Sequence, residues 1–478
     1  MCTSIMAGKE ATAGGVAIVS RNEDFVRNNW NKYLTYRPLP QYKVPGTPSV
    51  AGGVWTLGNG LAVPVPEAAH PYSAMPDAAG ASEASSGIGD GFYFEERGVN
   101  GRNVAVSATN SMTSNERAEQ ADPFVSPGVA ESVIPTLILP QAHTARHGVR
   151  LLGSYVEERG AQEPNGVLIA DLDECWYVEI GSGHHWIAVR VPGDAYIAVA
   201  NGMRVHGVDL DADGTLHSAG LFDWVRDNRL LAHPDRHSFD FAQAFGIPGV
   251  PYNVDRIWLA QSILTPSLHQ RPRLPRYPLF LRPDAPMRVT DVMRVLRATY
   301  KGTVLDGVAE RPIGYEKTAE SHIITLDPAM PPELAALIWQ AVSTPLGAPY
   351  VPLYSVTREL PASYTSGGNV FSPVSAYWAF HGAHVLRLHA DEAVRARVPD
   401  WAPEFEELCV EQAPWMRTVL ADAYGTDRAG AVSLAARHGF GLAAQAVDRA
   451  VAATAELITE TAAEDATAHH RKIAALAA

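Results

Sequence analysis

Cysteine is scarce in this chain: three in 478 residues, at Cys2, Cys175 and Cys409. The number is odd, the spacings are wide and no CxxC pair occurs, which argues against a disulfide framework and against a structural zinc site. Runs of basic residues are also lacking. With 38 Lys and Arg against 52 Asp and Glu, the formal net charge is -14, and no segment could follow a phosphate backbone, so nucleic acid is not an expected partner. No apolar stretch reaches the roughly 20 residues that span a bilayer. The opening MCTSIMAGKEATAGG lacks the basic region, apolar core and small-residue cleavage site of an export signal. No membrane association and a cytoplasmic, reducing location are therefore expected.

What is present is the composition of a globular protein, 46% hydrophobic with 39 Gly and 35 Pro, long enough for one large domain or several ordinary ones. Thr3 to Ala7 and Val16 to Ser20 are short apolar runs separated by turn residues, which predicts a hairpin that ties the N-terminus into a sheet. Arg37 to Gly91 is rich in Pro, Gly, Ala and Ser and reads as long irregular loops, one of which could form a lid. Strands are predicted at Val104 to Ala108, Gly166 to Asp171, Cys175 to Ile180, Trp186 to Val191 and Tyr196 to Ala200, with helices at Glu131 to Leu139 and Thr144 to Glu158. After Phe371 the chain becomes helical, at Pro373 to His389, Ala402 to Tyr424 and Leu442 to Ala478. This order predicts an α+β layering with antiparallel sheets.

Cys2 carries the chemistry most directly. A small residue after the initiator permits Met1 to be excised, leaving a cysteine with a free α-amine. An α-amine ordinarily titrates at about 7.7 to 8.0 and a thiol at about 8.5, so the amine can take the proton of its own thiol near neutral pH. The segment Ser20 to Asp24, SRNED, follows the second apolar run. It would set a cation, Arg21, and a carboxylate, Asp24, beside the nucleophile, the first to hold a thiolate and the second to orient the amine. By pattern alone SRNED is more commonly a polar turn after a strand. Asn201 follows the run Tyr196 to Ala200 and would sit at a strand end; an Asn-Gly there is otherwise an ordinary turn.

The segments CTSIMAGKEATAGG and SRNEDF, followed in order by EERGVNGRNVAVSATNSMTSNERA, DLDECWYVEIGSGHHWIAVRVPGDAYIAVANGMRV, NVDRIWLAQS and RPIGYEKTAESHIITLDP, resemble the C69 family of cysteine dipeptidases, relatives of the penicillin V acylases and bile salt hydrolases. The resemblance implies a four-layer αββα N-terminal-nucleophile hydrolase fold over residues 2–370, with a helical C-terminal extension, 371–478, packed on the same domain. It implies Cys2 as nucleophile and base, Arg21 and Asp24 as its partners, and Asn201 as a side-chain donor to the oxyanion. Asn100 would be a second donor through its backbone N–H, and Arg256 a further arginine near the cysteine. A small peptide or amide substrate, no cofactor and no metal, and a homo-oligomeric assembly are implied as well. Where relatives commonly read GVNE followed by Lys-Gly, this chain has GVN-Gly101-Arg102-Asn103, which puts substrate preference in question.

The GSGHHW segment around His184 and His185 invites a metal or general-base reading, but no HExxH or matching carboxylate accompanies it. His322 is expected as a strand histidine with a possible substrate contact, Cys175 and Cys409 as buried and inert. GIGDGF lacks the ending of a phosphate loop. The sequence therefore favours hydrolysis of dipeptides or short peptides through an acyl-cysteine. The alternatives are an amidase or acyltransferase of secondary metabolism and a catalytically silent binding protein; the joint presence of Cys2, Arg21, Asp24 and Asn201 argues against the last. A protein that retains Met1, verified by intact mass, lacks the base and is expected to be inactive; undiminished turnover in that form would show the amine to be dispensable.

Overall fold

The computed structural model describes residues 2–24, 32–77, 92–368 and 370–477. Its strands are β1 (Cys2–Ala7), β2 (Ala17–Asp24), β3 (Thr35–Arg37), β4 (Val50–Ala51), β5 (Val54–Thr56), β6 (Ala62–Pro64), β7 (Tyr72–Pro76), β8 (Glu95–Asn100) and β9 (Ala105–Ser111). They continue with β10 (Asn165–Ala170), β11 (Cys175–Ile180), β12 (Trp186–Arg190), β13 (Tyr196–Val199), β14 (Thr215–His217), β15 (Thr318–Leu326), β16 (Ala336–Val342) and β17 (Val351–Tyr354). One sheet has the order β13-β1-β2-β15-β16-β17 and the other β14-β12-β11-β10-β9-β8-β7-β3. Neighbouring strands in both are antiparallel.

The two sheets pack face to face, and strand alternation decides which side chains meet there. In β1, Met6 points between the sheets while Ile5 and Ala7 point outward. In β2, Ala17 and Val19 point inward and Ile18 outward. Far from Cys2 the inner layer is apolar: Met6, Val19, Ile324, Leu326 and Ile338 pack with Val99, Ala105, Leu168 and Tyr177. Continuing the same alternation toward Cys2, the inward positions of the first sheet become Ser4, Arg21, Glu23, His322, Glu320 and Gln340, all buried. The inter-sheet layer thus changes from hydrocarbon to charge along one direction.

Helices cover both outer faces. Pro251–Leu264, Val289–Leu296 and Ala376–His389 lie on the six-stranded sheet, and Ile134–Ile138 and Ala145–Arg159 on the eight-stranded one. The layers therefore stack in the order αββα, as the family resemblance implies. The C-terminal helices Trp401–Thr426 and Arg428–Ala477 add to the first helical layer, burying Phe405, Cys409, Leu442 and Ala446 in the same core as Trp339, Tyr350 and Val351.

Two elements differ from the sequence reading. The Pro- and Gly-rich stretch from Arg37 holds a small antiparallel sheet, β4-β5-β6, closed over the buried Trp55, as well as β7 of the large sheet; two- and three-residue strands are too short to register as alternation. Residues 78–91, the last part of the stretch in which a lid was expected and all of GIGDGF but its last residue, lie outside the described residues. The final helix begins at Arg428 and not at Leu442, and Trp401–Thr426 passes through Pro414. No helix among the described residues is long and apolar enough to cross a membrane.

Two glycines in helices test the packing. A Cβ on Gly153 would lie 2.1 Å from Trp186 Cζ2, whereas one on Gly441 meets nothing within 4 Å. Gly153→Ala is therefore expected to lower stability by about 1–3 kcal/mol through overpacking. Gly441→Ala is expected to raise it by roughly 0.5–1 kcal/mol by removing backbone freedom from the unfolded chain. Denaturant midpoints of the two variants check both signs.

Candidate active site

β1 is hydrogen-bonded on both sides, with Cys2 opposite Glu23 of β2 and Ser4 opposite Val199 of β13. Residue 2 is therefore held in a sheet interior and is wholly buried. Met1 lies outside the described residues, and the Cys2 nitrogen, a peptide nitrogen in the full chain, stands where the α-amine would be after Met1 is removed. It donates to Asn201 Oδ1 at 3.1 Å. Asn201 follows β13 and donates through Nδ2 to the Ser111 carbonyl at 2.9 Å. One of the two Nδ2 protons is thus committed and the second is available to another acceptor.

The loop that carries Asn201 is clamped from behind. Glu179 of β11 accepts the backbone N–H of Arg204 and, at 3.1 Å, that of Val205; burial pushes its carboxyl up to about 7. The Arg204 guanidinium donates to the carbonyls of Ala198, Tyr277 and Pro278. These bonds fix the backbone on both sides of Asn201.

Arg256, from helix Pro251–Leu264, reaches the same point from the outer face. Its Nη1 donates to the Cys2 carbonyl at 2.7 Å and to Thr3 Oγ1 at 2.9 Å, and its Nη2 to Asn201 Oδ1 at 2.9 Å. Burial, and then the nearby Arg311 charge, lower its pKa to about 10, which leaves it protonated near neutral pH. Arg21 approaches from the inner face. Burial acts to lower its pKa, but the charges of Cys2, Glu96, Glu23 and Glu131 hold it well above the ordinary value. Its Nη1 lies 2.8 Å from Glu96 Oε2 and its Nη2 3.4 Å from Glu131 Oε1.

Asp24 is on the opposite face of β2 from Arg21. Its carboxylate is held by Arg311 and by Thr318 Oγ1, and Arg311 Nη1 donates to Tyr252 Oη at 2.8 Å. Burial raises the Asp24 pKa, with Arg311 and Thr318 opposing the shift. Asn100 is not part of this cluster. Its N–H donates to the Val104 carbonyl at 3.0 Å, in the turn between β8 and β9, and its amide side chain bonds the Leu139 and Ala142 carbonyls. The end of that hairpin that reaches Asn201 is Ser111.

Lys32, Glu96, Glu131 and Arg311 were not singled out from the sequence. Each comes from a segment distant from Cys2, and Glu131 resembles an ordinary acidic residue in the first turn of a helix. Lys32 Nζ lies 2.8 Å from Glu23 Oε1 and 3.0 Å from Glu96 Oε1, and also contacts Asp77. Those three carboxylates have the spacing of a metal site, but the ammonium fills the space between them.

The two other histidine-bearing segments are occupied locally. His184 Nδ1 bonds Asp122 at 2.7 Å and His185 Nδ1 bonds Ser218 Oγ at 2.9 Å. Among the described residues neither belongs to a group of three potential metal ligands. His322 is fully buried in β15, with Nε2 3.0 Å from Ser107 Oγ and Nδ1 2.9 Å from Glu320 Oε1. Burial pushes the Cys175 and Cys409 thiols up to about 12, which keeps both protonated.

The model of peptidase family C69 matches residues 1–398. A probable dipeptidase of Latilactobacillus sakei is 30% identical over 475 residues, covering 96% of this chain and 95% of that protein. A probable dipeptidase of Salmonella dublin is 32% identical over 369 residues, 75% of this chain and 81% of that one. A dipeptidase of Bifidobacterium longum is 29% identical over 422 residues, 79% and 75% of the two chains. Among solved structures, a mutant of conjugated bile acid hydrolase from Clostridium perfringens aligns with a TM-score of 0.36 and 11% identity over 72% of this chain and 89% of that one, a likeness too slight to support an inference. With the family model and near-full-length relatives in agreement, the chain belongs to peptidase family C69.

Proposed function

We propose that the protein hydrolyses dipeptides, with Cys2 as an N-terminal nucleophile. The observation that carries this reading is the convergence on one residue: the Cys2 nitrogen on Asn201, its carbonyl on Arg256 and its thiol in the field of Arg21. Relatives named dipeptidases support the substrate class.

In the proposed course, the α-amine of processed Cys2 takes the thiol proton as Sγ attacks the substrate carbonyl carbon. Negative charge moves to the carbonyl oxygen, where the second Nδ2 proton of Asn201 meets it. The tetrahedral adduct collapses, the C–N bond breaks and the Cys2 ammonium returns its proton to the departing amine. Water, deprotonated by the same amine, then attacks the acyl-cysteine and releases the acid and the thiol. Arg256 fixes Cys2 and Asn201 relative to each other, and Arg21 balances the thiolate. Asn100 was a candidate for the second oxyanion donor, but its N–H is already bonded to Val104; a donor from the Ser111 end of β9 fits the layout better.

Two substitutions test these roles by steady-state kinetics on dipeptides. Cys2→Ala is expected to remove turnover by several powers of ten. Asn201→Ala is expected to lower kcat by about two to three powers of ten, as loss of one prealigned donor does. Turnover within a few-fold of wild type in the first variant would overturn the nucleophile assignment, and in the second the donor assignment.

A further inference from the structure

We infer that Glu131 binds the free α-ammonium of the substrate's first residue, making the enzyme selective for peptides with an unblocked N-terminus. The inference deepens the dipeptidase reading and rests on it.

Six carboxylates lie near the Cys2 end of the two sheets, and their partners set them apart. Glu23, Asp77 and Glu96 share the Lys32 ammonium, Glu96 also holds Arg21, Asp24 is held by Arg311, and Glu320 by His322. The side chains of these five are at most 4% exposed, whereas that of Glu131 is 21% exposed. Its contact with a cation is the long one, 3.4 Å to Arg21 Nη2. Its other oxygen, Oε2, accepts a 2.6 Å hydrogen bond from Ser111 Oγ, which fixes the carboxylate while leaving Oε1 with acceptor capacity.

Position links it to the reacting atoms. Cys2 N bonds Asn201, Asn201 bonds the Ser111 carbonyl, and the Ser111 hydroxyl bonds Glu131. A peptide's α-nitrogen lies only two bonds, about 2.5 Å, from the carbonyl carbon under attack. A carboxylate one residue beyond the oxyanion donor is therefore in the region that the α-ammonium occupies. Burial and the Glu96 charge raise the Glu131 pKa, with Arg21 opposing; an arriving cation would favour the ionised form. A blocked N-terminus would bring no charge to this carboxylate and add bulk against it.

The test compares a dipeptide with its N-acetylated form in wild type, Glu131→Gln and Glu131→Asp. Wild type is expected to favour the free amine strongly. In Glu131→Gln that preference should fall about 10- to 100-fold, the worth of a hydrogen bond to a charged group, mainly through KM, with partial recovery in Glu131→Asp. The rate of Cys2 alkylation by iodoacetamide reports whether the site is intact, and is expected to stay within a few-fold. Equal slowing of both substrates in Glu131→Gln, no change in either, or a wild type that cleaves free and acetylated forms equally well would overturn the inference while leaving the dipeptidase reading standing. A wild type with a reactive Cys2 that cleaves no dipeptide would overturn both.

Discussion

A reactive group at residue 2 has to be held still at the part of a chain that ordinarily frays. The solution here is main-chain pairing: β1 is the second strand of a six-stranded sheet, bonded to β2 from Cys2 onward and to β13 from Ser4 onward. Every other feature of the site depends on that register. Because Cys2 is opposite Glu23, Arg21 and Glu23 share its face and Asp24 takes the other. Because β13 is the second neighbour, the residue that follows it, Asn201, is delivered to the Cys2 nitrogen.

The price of the arrangement is buried charge. Arg21, Lys32, Glu23, Asp77 and Glu96 are all buried, and such groups are tolerated only when paired and hydrogen-bonded; stranding one costs about 3–5 kcal/mol. The structure meets this by gathering them into one connected set, so that Lys32 serves three carboxylates and Arg21 two. The connected set also defines rigid positions. Arg256 touches both Cys2 and Asn201, which fixes the proposed nucleophile and the proposed oxyanion donor relative to each other, and preorganisation of that kind is what electrostatic catalysis requires.

The fold was largely readable from the sequence because its strands are short apolar runs bounded by turn residues. The runs at Cys175 and Tyr196 became β11 and β13 with boundaries within a residue or so, and the helix expected from Thr144 is Ala145–Arg159. The charged end of β2 was harder: SRNED reads as a turn, yet all of it is strand, since its inward charges find partners beyond the strand, at Lys32 and at Glu96 of β8. Of the candidate site, the residues marked by chemistry or family resemblance that the fold brings together are Cys2, Arg21, Asn201 and Arg256. The site was illegible where only proximity confers a role. Arg311 and Glu131 carry no local signal, and Asn100 and Ser111 lie at opposite ends of one hairpin, a distinction that appears only when the direction of β8 and β9 is known.

The account turns on Cys2 as nucleophile, and affinity labelling with an amino-acid chloromethyl ketone tests that most directly. It predicts one adduct per chain, on a peptide that begins at Cys2, formed in proportion to lost dipeptidase activity and slowed by substrate. Labelling at Cys175 or Cys409, or full activity in a chain already labelled at Cys2, would contradict it.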